Sequence, residues 1–170
     1  MDQRRSALGI VPARGGSKRI PRKNVRPFHG VPLVERSITT LLESEVFDRI
    51  VVSTDDDEIA QIARSAGAEI PFLRPAELAD DNSGTGAVIR HAISALESGE
   101  ASGTRFDDIC LMYPTAVFVT PADIRAGLER LRTSDVEYVF TATQFTAPIE
   151  RALTTDDDGR TSMRWPEHLL

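Results

Sequence analysis

Short apolar runs alternate with helical stripes along most of the chain. Residues 7–11, 49–53, 69–73, 108–113 and 138–143 form five such runs, most of them apolar on both faces. Strands buried on both sides of a parallel sheet have that pattern. Between the runs, Val34, Ile38, Leu41 and Leu42 recur at helical spacing, with Pro32 near the start. Ile59, Ile62, Ala63 and Ala66 form a second stripe, and Gly67 supplies a stop. Val88, Ile89, Ala92, Ile93 and Leu96 form a third. Ile124, Leu128 and Leu131 form a fourth, opened by Thr120 as N-cap and Pro121 at the first helical position. Strand, helix, strand, helix predicts an α/β domain over residues 1–150, doubly wound and Rossmann-like, with a mostly parallel sheet.

The pattern changes after Pro148. Residues 151–155 and 160–164 flank Asp156-Asp157-Asp158-Gly159, which predicts a β-hairpin excursion over residues 151–170. Three aspartates beside a turn glycine read as a solvated tip rather than a metal site.

Charge adds a feature that the apolar pattern does not contain. The formal net charge is −6, yet residues 3–33 hold eight Lys/Arg and no Asp/Glu. Residues 34–170 hold twelve Lys/Arg against twenty-five Asp/Glu. Six of the basic residues fall between Pro12 and Pro27, just past the first strand, alongside Gly15 and Gly16. Glycines let backbone N–H groups approach phosphate oxygens, and the cations neutralise their charge. Ligands of doubly wound sheets bind outside the carboxyl ends of the strands, where this loop lies. Thr54-Asp55-Asp56 and Pro114-Thr115 reach the same edge after the second and fourth strands. The alternative is a solvated, charged surface loop.

An acidic body with one basic loop fits a small anion and speaks against broad nucleic-acid binding. No apolar run approaches the roughly 20 residues that span a bilayer, and no signal-peptide core follows the first residues. A cytoplasmic location is the expectation. The one cysteine, Cys110, sits in an apolar run and reads as core rather than nucleophile. His29, His91 and His168 show no metal-ligand spacing and read as surface or loop residues.

Two phosphate loops are excluded by spacing. Gly15-Gly16-Ser17-Lys18 lacks the glycine separation of a P-loop, and Gly-x-Gly-x-x-Gly is absent. Nucleotidyl transfer, with a long basic loop around a triphosphate, is what remains. Ala13-Arg14-Gly15-Gly16-Ser17-Lys18, Pro21-Arg22-Lys23-Asn24, Val52-Ser53-Thr54-Asp55 and Arg74-Pro75-Ala76-Glu77-Leu78-Ala79-Asp80-Asp81 occur in order. Together they resemble the acylneuraminate cytidylyltransferase family over nearly the whole chain. Pro71-Phe72-Leu73-Arg74-Pro75, Pro148-Ile149-Glu150-Arg151-Ala152-Leu153 and Trp165-Pro166-Glu167 look most like members acting on pseudaminic acid.

The resemblance implies a nucleotidyltransferase-like fold and the joining of CMP, from CTP, to a nine-carbon 2-keto sugar acid with release of pyrophosphate. It implies that Arg14 and Lys23 hold the triphosphate and stabilise the leaving pyrophosphate, within the loop of Gly15, Gly16, Ser17 and Lys18. Asn24 is expected to contact the nucleotide, with Arg74, Ser83 and Thr85 fixing it from the opposite side. Plainer readings stand beside these roles. Arg74 could pair with Glu77 or Asp80, and Ser83 and Thr85 could cap a helix. Asp55 could orient the loop, approach a metal, or cap the helix of Ile59.

Tyr113 stands where sialic acid members carry an amide facing the sugar, which points to a different nonulosonic acid. Val117 replaces a usual proline, which bears on the geometry of that loop. Mg²⁺ is implied as cofactor. Its aspartate ligands, and part of the acceptor site, are expected beyond residue 170, so no metal ligand is assigned here. Full-length members are homodimers through an arm that the 151–170 hairpin would begin. Two alternatives stay open: a sialic acid enzyme, and a CTP-binding domain without turnover.

Overall fold

The computed structural model describes residues 4–80, 83–98, 105–144 and 146–168. The chain divides into two compact units, residues 1–137 and 138–170.

In the first unit, β1 (Ala7–Pro12) leads into the basic loop, which closes with a 3-10 turn at Lys23–Val25. Two short strands follow, β2 (Pro27–Phe28) and β3 (Val31–Pro32), then α1 (Leu33–Ser44) and β4 (Arg49–Ser53). After them come α2 (Asp57–Ser65), α3 (Thr85–Ser98), β5 (Asp108–Leu111) and α4 (Pro121–Thr133). The main sheet is parallel with order β4-β1-β5, so Ile10 pairs with both Val51 and Leu111.

Alternating residues of one strand feed two cores. Val11, Ile50 and Val52 pack with Val34, Ile38, Leu41, Ile59, Ala63 and Ile124, so α1, α2 and α4 cover one face. Leu8, Ile10 and Val51 pack with Ala92 and Leu96 of α3 on the other. Helices on both faces of a parallel sheet make the fold doubly wound, as the sequence predicts.

The helix starts follow local chemistry. Thr120 accepts from Asp123 N–H while the Asp123 carboxylate accepts from Thr120 N–H, a capping box ahead of Pro121. Asp56 caps α2 by accepting from Ile59 N–H at 3.0 Å. Gly67, at φ 94°, takes the left-handed turn that stops the chain after α2. Leu42, expected in the apolar stripe of α1, is exposed instead.

Two of the five expected strands do not form. Glu69 N–H donates to Ile50 O at 2.8 Å and Val52 N–H to Glu69 O at 3.0 Å. The next donor of that ladder would be residue 71, and Pro71 has no N–H, so a single bridge remains. Residues 138–143 are irregular, with Tyr138 and Phe140 exposed and their rings stacked at 6.1 Å. Apolar sequence alone does not make a strand where no neighbour completes its hydrogen bonds. His91 also departs from a surface reading: it lies on α3 against the Phe72 ring at 5.0 Å.

In the second unit, β6 (Leu153–Thr155) pairs antiparallel with β7 (Thr161–Met163). Asp156 Oδ1 accepts from Asp158 N–H at 3.1 Å and Arg160 N–H at 2.8 Å, and Gly159 sits at φ 78°. The aspartates therefore form a turn at an exposed tip.

Candidate functional site

A cavity of about 320 Å³ opens at the carboxyl end of the sheet. Pro12 and the basic loop supply one wall through Arg14, Arg19, Lys23 and Asn24. Arg74, Leu78, Asp80, Ser83, Thr85 and Val88 supply another, and Tyr113, Pro114 and Thr115 after β5 complete it. Among the described lining residues, four cationic side chains thus face one carboxylate, although the whole chain is acidic.

The loop is pinned by hydrogen bonds. Asp55 Oδ1 accepts from Gly15 N–H at 2.9 Å, so this aspartate orients the loop, while Asp56 is the one that caps α2. A Cβ on Gly15 would lie 2.5 Å from Asp56 Oδ2 and 2.9 Å from its Cβ, so only glycine allows this close approach. Asn24 is buried, and its amide nitrogen donates to Arg14 O at 2.9 Å. Arg14 donates to the carbonyls of Ala79 and Asp80 across the cavity.

Arg74 is 7% exposed and pairs with neither Glu77 nor Asp80. Its Nε donates to Ser53 Oγ at 3.1 Å and its Nη2 to Ser53 O, while its backbone N–H reaches Thr54 O at 2.7 Å. Burial lowers its pKa, Asp55 opposes that shift, and neighbouring Arg14 adds to it. An arginine stays charged regardless, so the site keeps a rigid cation with little water around it. Ser83 Oγ lies 2.9 Å from Glu77 O and 2.6 Å from Asp80 Oδ1, two acceptors within reach of its one hydrogen. The Thr85 hydroxyl shares a hydrogen bond with Tyr113 OH at 2.9 Å.

Of the residues singled out in the sequence, Arg14, Lys23, Asn24, Arg74, Ser83, Thr85 and Tyr113 come together around this cavity. Gly15, Gly16, Ser17 and Lys18 do not line it; Gly16 and Lys18 are exposed. Arg19 and Asp80 line it without having been assigned roles, although Arg19 lies in the basic run and Asp80 inside the motif that begins at Arg74. Cys110 is half-buried, and burial pushes its thiol up to about 11. A thiol so protonated at neutral pH is no nucleophile.

Residues 8–159 match the family model described as cytidylyltransferase. The chain belongs to the cytidylyltransferase family. Pseudaminic acid cytidylyltransferase of Campylobacter jejuni subsp. jejuni is 38% identical over 161 residues, covering 95% of this chain and 68% of that protein. CMP-N,N'-diacetyllegionaminic acid synthase of Legionella pneumophila is 41% identical over 122 residues, covering 72% of this chain and 51% of that one. Among solved structures, CMP:2-keto-3-deoxy-manno-octonic acid synthetase complexed with CTP superposes with TM-score 0.58 at 23% identity. That match covers 75% of this chain and 47% of the other, so this cytidylyltransferase spans about half of its length. At that identity the likeness establishes the fold.

Proposed function

We propose that this cytidylyltransferase transfers CMP from CTP to a nine-carbon 2-keto sugar acid, pseudaminic acid or a close relative, and releases pyrophosphate. The observation that carries the reading is the cavity whose described lining holds Arg14, Arg19, Lys23 and Arg74 against the one carboxylate of Asp80. A triphosphate supplies the matching negative charge. The anomeric hydroxyl of the sugar attacks the α-phosphorus, the bond to the bridging oxygen of pyrophosphate breaks, and the hydroxyl proton is released. Such a step asks the protein mainly for positioning and for stabilisation of charge building on the leaving group. Lys23 and Arg14 take that part, and Gly15, Gly16, Ser17 and Lys18, which lie outside the cavity lining, are proposed to approach the phosphates once CTP is bound. Arg74, Ser83, Thr85 and Asn24 fix the nucleotide, and Tyr113 faces the sugar.

Mg²⁺ is the expected partner of the nucleotide. The described residues gather no group of three or more His, Cys, Asp or Glu able to hold a metal ion. Its ligands are proposed outside those residues, and no step is routed through it. Among the described residues no helix is long and apolar enough to cross a membrane. A cytoplasmic, homodimeric full-length protein, with residues 1–150 binding nucleotide and 151–170 opening the dimer arm, completes the proposal.

Pyrophosphate release from CTP, measured with a panel of 2-keto sugar acids, tests the reading. Release with pseudaminic acid above sialic acid is expected, and the reverse order selects a sialic acid enzyme. CTP binding with no release from any acceptor selects a nucleotide-binding module. No CTP binding refutes the assignment.

A further inference from the structure

Arg22 is a basic-loop residue to which the proposed function gives no role. It does not line the cavity. Its backbone sits at φ 55°, a left-handed conformation uncommon for any residue but glycine. Its guanidinium is paired with both Asp56 and Glu58, and one Asp56 contact is 3.1 Å. We propose that Arg22, Asp56 and Glu58 form a latch that holds the basic loop in its phosphate-gripping shape, with Arg22 a positioning residue and not a phosphate ligand.

Three observations support this. Arg22 is the N-cap of the 3-10 turn that carries Lys23 and Asn24 into the cavity, so fixing Arg22 fixes where that turn begins. The other end of the loop is tied to the same place, because Gly15 N–H donates to Asp55. Both feet of the loop therefore stand on one acidic turn, between β4 and α2, while residues 18–21 between them are exposed. The pairing also neutralises carboxylates that would otherwise repel a triphosphate beside them. Hydrogen bonding to Arg22 holds the Asp56 carboxyl below the usual carboxylate range, as a committed ion pair should.

The latch rests on the proposed nucleotide site, and calorimetric titration of the whole chain with CTP separates the two. Arg22→Gly removes the guanidinium while glycine accepts the left-handed backbone. Asp56→Asn removes the charge while asparagine still caps α2. Each is expected to weaken CTP binding by roughly three- to tenfold, with the double variant little weaker than either, as coupled partners behave. Arg22→Lys should recover part of the affinity. Amide exchange across residues 15–24 of the nucleotide-free protein should quicken by about tenfold in Arg22→Gly, with the melting temperature nearly unchanged.

Unchanged affinity in both single variants overturns the latch. So does tighter binding in Asp56→Asn, which would mean that a released Arg22 reaches the phosphates itself. Fully additive losses overturn the coupling. If the unaltered chain binds no CTP, the nucleotide site fails first and the latch has nothing to position. Quickened exchange would then mark Arg22 as a structural tie alone.

Discussion

Two clusters of arginine and carboxylate stand at opposite ends of the same sheet, and they do different work. At the amino end, Asp108 opens β5 with its side chain 2% exposed, held by Arg5 at 2.6 Å and Arg132 at 2.7 Å. It joins the segment before β1 to the last turn of α4. At the carboxyl end, Arg22 meets Asp56 and Glu58, and Glu58 is 60% exposed. Exposed pairs contribute roughly 0–1 kcal/mol to stability, whereas breaking a buried one removes much more. The buried cluster therefore belongs to folding. The second cluster is only partly buried, with Asp56 19% and Arg22 41% exposed, so it has less to offer folding, and its place beside the cavity gives it a role in shaping the site.

The sharpest way to break this contrast is to remove a cation of the carboxyl end. Lys23→Ala should lower CTP affinity or pyrophosphate release by about a hundredfold or more, the scale for a charge-stabilising contact. Its melting temperature should hold. If the melting temperature falls and affinity holds, the two ends have been assigned the wrong way round.

The converse variant is Asp108→Asn. It leaves two half-exposed arginines that water can still reach, so the loss should fall near the low end for buried pairs, about 2–3 kcal/mol. Calorimetry should then show a melting temperature lower by roughly 5–10 °C. CTP affinity at a temperature where the variant is folded should be unchanged.

Salt separates the ends more gently. Raising ionic strength from 0.05 to 0.5 M shortens the screening length severalfold, so CTP affinity should drop by about an order of magnitude. The melting temperature should move by only a few degrees, because the Asp108 cluster is buried. An affinity indifferent to salt would contradict a cationic wall.

Acid should give the smallest effect. The folded pKa of Asp56 lies below its unfolded value, chiefly through its hydrogen bonds to Arg22. Its contribution is complete above the ordinary carboxylate range and is lost as pH falls through the lower, folded value. NMR titration of the Asp56 carboxyl should place its midpoint below that of an ordinary aspartate, and Arg22→Gly should raise it. An identical midpoint in both proteins would remove the ion pair from the account.

Much of this was legible in the apolar pattern. The three strands that pair, the four helices and the C-terminal hairpin all follow from periodicity and turn residues. What failed was the edge of the sheet, because a strand needs a partner as well as a composition. Pro71 interrupts one ladder, and residues 138–143 pair with neither β6 nor β7 of their own unit. The basic loop stood out by charge, and its Arg14, Lys23 and Asn24 converge on the cavity with four expected partners, Arg74, Ser83, Thr85 and Tyr113. The division of labour between Asp55 and Asp56 was not legible, since adjacent aspartates before a helix look alike in one dimension. Nor could spacing reveal that Arg22 faces α2 while Lys23, its neighbour, faces the cavity. That split follows from a left-handed backbone at Arg22, which sequence does not announce.

A crystal structure of the protein with CTP tests the central claim most directly. The account predicts the triphosphate in the cavity beneath the loop, within hydrogen-bonding distance of Lys23 and Arg14, with Arg22 still on Asp56. A nucleotide bound elsewhere, or phosphates that leave the cationic wall untouched, would contradict it.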